Sequence, residues 1–150
     1  MKQSPQDKIL EQMLRSGKLA AGGFMGTDTR SPEEVIAQDT ATLTMLGYNA
    51  AQVALKMQQL RDLARPQLGN WITVSEVLQV KSEDFKGFNV CPWPHLGRFE
   101  KRITTAQRLD TRQTISWSDL NIHLIKEHGF FEGKGAFFRI EPEDLISIIF

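Results

Sequence analysis

The chain has one cysteine, Cys91, so no disulfide can close within it and no covalent staple constrains its loops. A secreted domain of this size more often carries paired cysteines, and the expected address is a reducing cytoplasm. Charge of one sign is missing as well. Eighteen Lys and Arg offset 18 Asp and Glu, so no overall positive field draws the chain to nucleic acid. No apolar run approaches the roughly 20 residues that cross a bilayer, and the segment 1–8 has no signal-peptide core. These absences argue against a membrane and against nucleic acid, and leave a protein partner or self-association. Repeats, low-complexity tracts and an obvious linker are also lacking.

What is present is an ordinary globular composition, 41% apolar and 24% charged over 150 residues. A chain of that length buries roughly 68–70% of its unfolded surface, enough for an apolar core to carry the fold. Ser4-Pro5-Gln6-Asp7 is a helix start, and Ile9, Leu10, Met13 and Leu14 follow at helical spacing, which predicts a helix over 5–16. Glycines and small residues then predict a loop over 18–28. Ser31-Pro32-Glu33-Glu34 reads as a capping box, with Val35, Ile36, Leu43 and Leu46 on one face and Gly47 as the stop. Asn49 opens a third helix whose Val53, Met57, Leu60 and Ala64 end before Pro66. The last two helices should form an antiparallel hairpin.

After Gly69 the rhythm changes from 3.6 to 2. Ile72, Val74, Leu78 and Val80 alternate as in one half-buried strand, with Glu76 on its apolar face either at a bulge or edge or as a buried acid. Phe99 and Ile103 mark a second strand, Ile115 and Trp117 a third, and Asp110-Thr111 the turn between them. Ser118 caps a helix through His128, residues 136–140 read as a further strand, and Pro142 opens a last helix. The expectation is a single α+β domain over 1–150, helical in 1–68 and sheet-rich in 69–150. About three N-terminal helices pack on a mainly antiparallel C-terminal sheet, with one or two further short helices.

Every cysteine and histidine lies in the second half: Cys91, His95, His123 and His128. One thiolate and three imidazoles suit zinc. The spacing argues the other way: His123 and His128 are five apart on a predicted helix and point about 140° away from each other, where paired helical ligands are usually four apart. His128 falls at the centre of the apolar arc and reads as a core histidine. His123 and Glu127, four apart, suit either a carboxylate orienting an imidazole or a plain helical pair.

Val90-Cys91-Pro92-Trp93-Pro94-His95 reads as a stiff elbow that can present Cys91 and His95 together, as in an activated thiolate, or can simply pack. Within Phe130 to Arg139, two glycines with Lys134 and Arg139 can receive an anion, although the P-loop pattern is absent and a hairpin turn between core phenylalanines uses the same letters. The basic stretch of Arg98, Lys101, Arg102, Arg108 and Arg112 reads as a solvated strand face. A winged-helix reading is disfavoured, because the predicted helix offers only Asn121 and Lys126 to a groove.

The stretches Gly26-Thr27-Asp28-Thr29-Arg30-Ser31, Cys91 to His95, Trp117-Ser118-Asp119-Leu120 and His128 to Gly135 resemble segments of a family of small soluble bacterial proteins with no established activity. The resemblance spans most of the chain, implies a bacterial cytoplasm and supplies neither a cofactor nor a site. The leading expectation is therefore a noncatalytic cytoplasmic module that binds a partner protein or small anionic ligand through Trp93, Lys134 and Arg139. The alternative is a metal-binding protein, or a thiol- and histidine-dependent enzyme, centred on Cys91, His95, His123 and Glu127.

Overall fold

The helix starts fall where cap chemistry puts them. In the computed structural model, which describes residues 3–17, 23–95 and 97–150, Ser4 caps α1 (Pro5–Arg15), Ser31 caps α2 (Pro32–Leu46) and Asn49 caps α3 (Ala50–Ala64). Each cap side chain accepts the backbone N–H three residues on, satisfying one donor that the helix cannot. At Ser31 the expected box is rearranged: Glu34 accepts from the Ser31 hydroxyl instead of from its backbone N–H. The expected loop over 18–28 lies partly outside the described residues; its described part, 23–28, is a series of turns.

Four antiparallel strands follow in the order β1-β2-β3-β4: β1 (Ile72–Thr73), β2 (Leu78–Val90), β3 (Arg98–Arg108) and β4 (Thr114–Ser118). They are followed by α4 (Asp119–His128) and α5 (Pro142–Ile149). The fold is thus α+β, with three N-terminal helices, a four-stranded antiparallel sheet and two C-terminal helices packed against it.

Three sequence expectations change. The single strand expected across Ile72 to Val80 is two strands folded back on each other, with Ile72 opposite Val80. A hairpin produces the same alternation as one strand, because both legs present one face to the core. Glu76 sits exposed in the turn, so it is not a buried acid. β2 also continues well past Val80 to Val90, pairing with β3 along its length apart from an irregularity between Phe85 and Phe88. Residues 136–140, expected as a strand, form an irregular loop with a turn at 137–138.

That last segment is shaped by a backbone-to-backbone contact. A Cβ at Gly26 would meet Ala136 N at 2.2 Å, and one at Gly133 would meet Met25 O at 2.4 Å. The two loops are tied by Gly133 N–H donating to Phe24 O and Thr27 N–H to Lys134 O. Asp28 adds a buried carboxylate that accepts from Lys134 N–H and from the Arg30 guanidinium, which holds its carboxyl well below the usual range.

α4 lies between two apolar clusters. Ile122 and Ile125 join Val53, Met57, Val80, Ala106, Trp117 and Leu145, whereas Leu120 and Leu124 join Leu14, Met25, Val35, Cys91 and Phe130. One helix therefore belongs to both cores and has its remaining surface free for polar work. No helix among the described residues is long and apolar enough to cross a membrane.

Candidate metal centre

The distal half of the β2–β3 hairpin is an exposed arm, and the elbow at its tip folds back onto the C-terminal half of α4. That return brings Cys91 and His95 of the elbow to His123 and His128 of the helix. The Cys91 sulfur and one ring nitrogen from each histidine all lie within 4.8 Å of one another. His95 Nε2 is 3.1 Å from Cys91 Sγ, 3.1 Å from His123 Nε2 and 3.4 Å from His128 Nε2. His128 Nε2 lies 3.6 Å from Cys91 Sγ.

Protons cannot account for this geometry. A neutral imidazole nitrogen carries either one proton or one lone pair, so His95 Nε2 can make only one of its three contacts as an ordinary hydrogen bond. A cation at the centre satisfies all four donors. With Zn–N near 2.0–2.1 Å and Zn–S near 2.3 Å, a tetrahedron has edges of about 3.3 Å between nitrogens and about 3.5 Å between nitrogen and sulfur. The four separations given above scatter around those values, and all six lie within 4.8 Å.

The surroundings favour ligand form at two of the imidazoles and oppose it at the thiol, which must give up its proton to an ion. Cys91 is buried, and burial pushes its thiol up. Burial, helped by the neighbouring His95, pushes the His123 imidazole down, and burial together with His123 and His95 pushes His128 down to about 4. Two imidazoles are therefore neutral at pH 7, as a metal requires. Trp93 stacks on His128 at 4.0 Å between centroids, Phe99 lies 4.4 Å from His123, and Phe130 meets the edge of Trp93 at 5.5 Å. This aromatic collar dries one side of the cluster.

The divergence expected from the five-residue spacing of His123 and His128 does not occur: their rings stand 5.4 Å apart. Helical side chains lean toward the N-terminus, so His128 reaches back over the turn that carries His123. His128 is accordingly half-buried at the cluster and not a core residue. The missed signal was available in Cys91-x3-His95 and His123-x4-His128, which fall within the spacings of zinc sites even though a four-residue helical pair is absent.

The remaining candidates separate. Glu127 is exposed, and among the described residues no hydrogen bond joins it to His123. Trp93 belongs to the cluster. Arg139 is buried in an ion pair with Asp39, also contacts Glu141, and donates to the Glu132 carbonyl. It has little capacity left for a free anion. Lys134 is exposed on the turn, its backbone N–H given to Asp28. Residues 130–141 form no strand, so the wing of a winged helix is absent there. Compared with protein-family models, curated proteins and solved structures, the chain matches none.

Proposed function

We propose that the chain is a zinc-binding protein in which Cys91, His95, His123 and His128 hold one ion that clamps the tip of the β2–β3 arm onto α4. The observation that carries this reading is the convergence of three imidazole nitrogens and one sulfur on a single point. Four protein donors fill a tetrahedron, and a filled tetrahedron is the mark of a structural site, whereas a catalytic one keeps a position open. The thiol-enzyme reading is weaker, because burial raises Cys91 where a nucleophile needs a lowered value.

The test is elemental analysis of the purified full-length chain, followed by titration of metal-stripped protein with zinc and with cobalt as a spectroscopic reporter. One ion per chain is expected, with a tetrahedral cobalt spectrum whose thiolate band is lost in Cys91→Ser. Affinity in Cys91→Ser and His128→Ala should fall by more than about 100-fold, since even the partners of metal ligands are worth about 10–100-fold. Binding should release the Cys91 proton and so strengthen as pH rises. Absence of stoichiometric binding at neutral pH sinks the proposal.

A further inference from the structure

A second site lies along the same arm. A cleft of about 710 Å³ opens between the arm and the segment following α4, in the range of pockets that hold small organic ligands. Phe24, Phe85, Ile103, Leu120, Phe137 and Phe138 make its walls mainly apolar. Lys86 and Lys101, both exposed, stand on the arm side, and Glu132 is the one acidic residue among the described residues that line it.

Glu132 is an unusual residue to find there. Only 4% of it is exposed, and its backbone is held at φ +67, a left-handed conformation that costs a non-glycine residue about 1–2 kcal/mol. The local structure enforces this. Asn121 has its carbonyl oxygen occupied by Ser118, which leaves its amide nitrogen to donate to Glu132 Oε2 at 2.8 Å. Arg139 donates to the Glu132 carbonyl at 2.8 Å. Oε2 is thus committed as an acceptor, and Oε1 receives no hydrogen bond from the described residues. When Glu132 is protonated, its O–H therefore sits on Oε1 and needs an acceptor. Burial pushes this carboxyl up to about 7, which keeps a large protonated fraction near neutrality.

We propose that this cleft binds a small apolar carboxylic acid, its chain against Phe24, Phe85 and Phe137 and its carboxylate accepting the Glu132 O–H while Lys86 and Lys101 supply the balancing positive charge. The proposal is independent of the metal reading. Two cations and a protonated acid select against an amine, and the apolar walls select against small hydrophilic anions.

Calorimetric titration of the metal-loaded full chain with decanoate, decanol and decylamine at pH 6 tests it. Decanoate should bind one per chain, more tightly than the other two. Lys86→Glu/Lys101→Glu, at two exposed positions, should weaken decanoate at least about tenfold with unchanged thermal unfolding. Phe137→Ala, at a site 83% exposed, should weaken it about threefold or more. Raising the pH to 8.5 should ionise Glu132 and weaken decanoate about tenfold, but should leave Glu132→Gln unaffected. Arg139, whose charge acts on Glu132, stays charged across that interval. Preference for decylamine, binding insensitive to the double lysine variant, or a cleft closed by concentration-dependent self-association without decanoate binding each overturns the proposal.

Discussion

At the scale of single residues, Glu132 is where stability and binding are in tension. Its carboxyl is raised in the fold to about 7, mainly by burial, from 4.5. A raised acid holds its proton more tightly when folded, so the folded state binds more protons than the unfolded state between about pH 4.5 and 7. Stability is therefore highest below the unfolded value and is lost as pH climbs through that window, by up to about 3 kcal/mol. Urea unfolding of wild type and Glu132→Gln at pH 4.5 and pH 7.5 isolates the effect, because every other titrating group is common to both. Wild type should lose about 3 kcal/mol more than the variant over that interval. Equal losses would mean that Glu132 does not titrate abnormally.

At the scale of elements, Arg102 ties the base of the arm to α4. Its side chain is buried, with Nε 2.7 Å from Asp84 and Nη1 2.7 Å from Asp119, and it also contacts Glu100. Asp119 is pushed up by burial even with Arg61 and Arg102 beside it, and its Oδ1 lies 3.7 Å from Arg61, beyond a hydrogen bond. Arg102→Ala strands that carboxylate and should cost about 3–5 kcal/mol in denaturant unfolding, whereas Arg102→Met with Asp119→Leu should recover most of it. Failure of the double variant to recover stability would show that the arginine's other partners dominate. The elements themselves were unevenly legible in the sequence. Helix starts could be read because caps are local chemistry: Ser4, Ser31, Asn49 and Ser118 each lie within three residues of the N–H they satisfy. The distal part of β2 could not, since Glu83 to Phe88 are exposed throughout and carry no apolar period; only the ladder to β3, a nonlocal pairing, makes them a strand. Residues 136–140 have strand-like composition, but the contact of Gly133 and Gly26 with the facing backbone fixes the chain in an irregular loop. The four residues of the proposed metal site were all visible as residue types. Their convergence was not, because it depends on the fold-back of an arm whose length the sequence conceals.

At the scale of the whole molecule, that arm is the least supported part of the architecture. Its proximal residues Leu78, Val80 and Ser82 are buried, whereas from Glu83 to Phe88 the strand has no buried side chain. Segments with few buried apolar contacts open locally at low free energy. What returns the tip to the body is the aromatic packing of Trp93 and Phe99 and the cluster that links Cys91 to His128 across 37 residues. A cross-link spanning a loop of that size restrains the open ensemble strongly, whether the link is a disulfide or a metal clip. Removing zinc with a chelator should therefore speed amide hydrogen exchange in 84–90 and 98–102 by at least about tenfold, an opening made easier by about 1.4 kcal/mol or more. Amides of α3, whose buried side chains all belong to the other apolar cluster, should keep their protection. Cys91→Ser should exchange quickly in the arm with or without zinc, and zinc returned to the stripped wild type should restore the slow rate. If chelation leaves the arm as protected as before, the aromatic packing alone holds the tip, and the ion, where bound, is not the clamp.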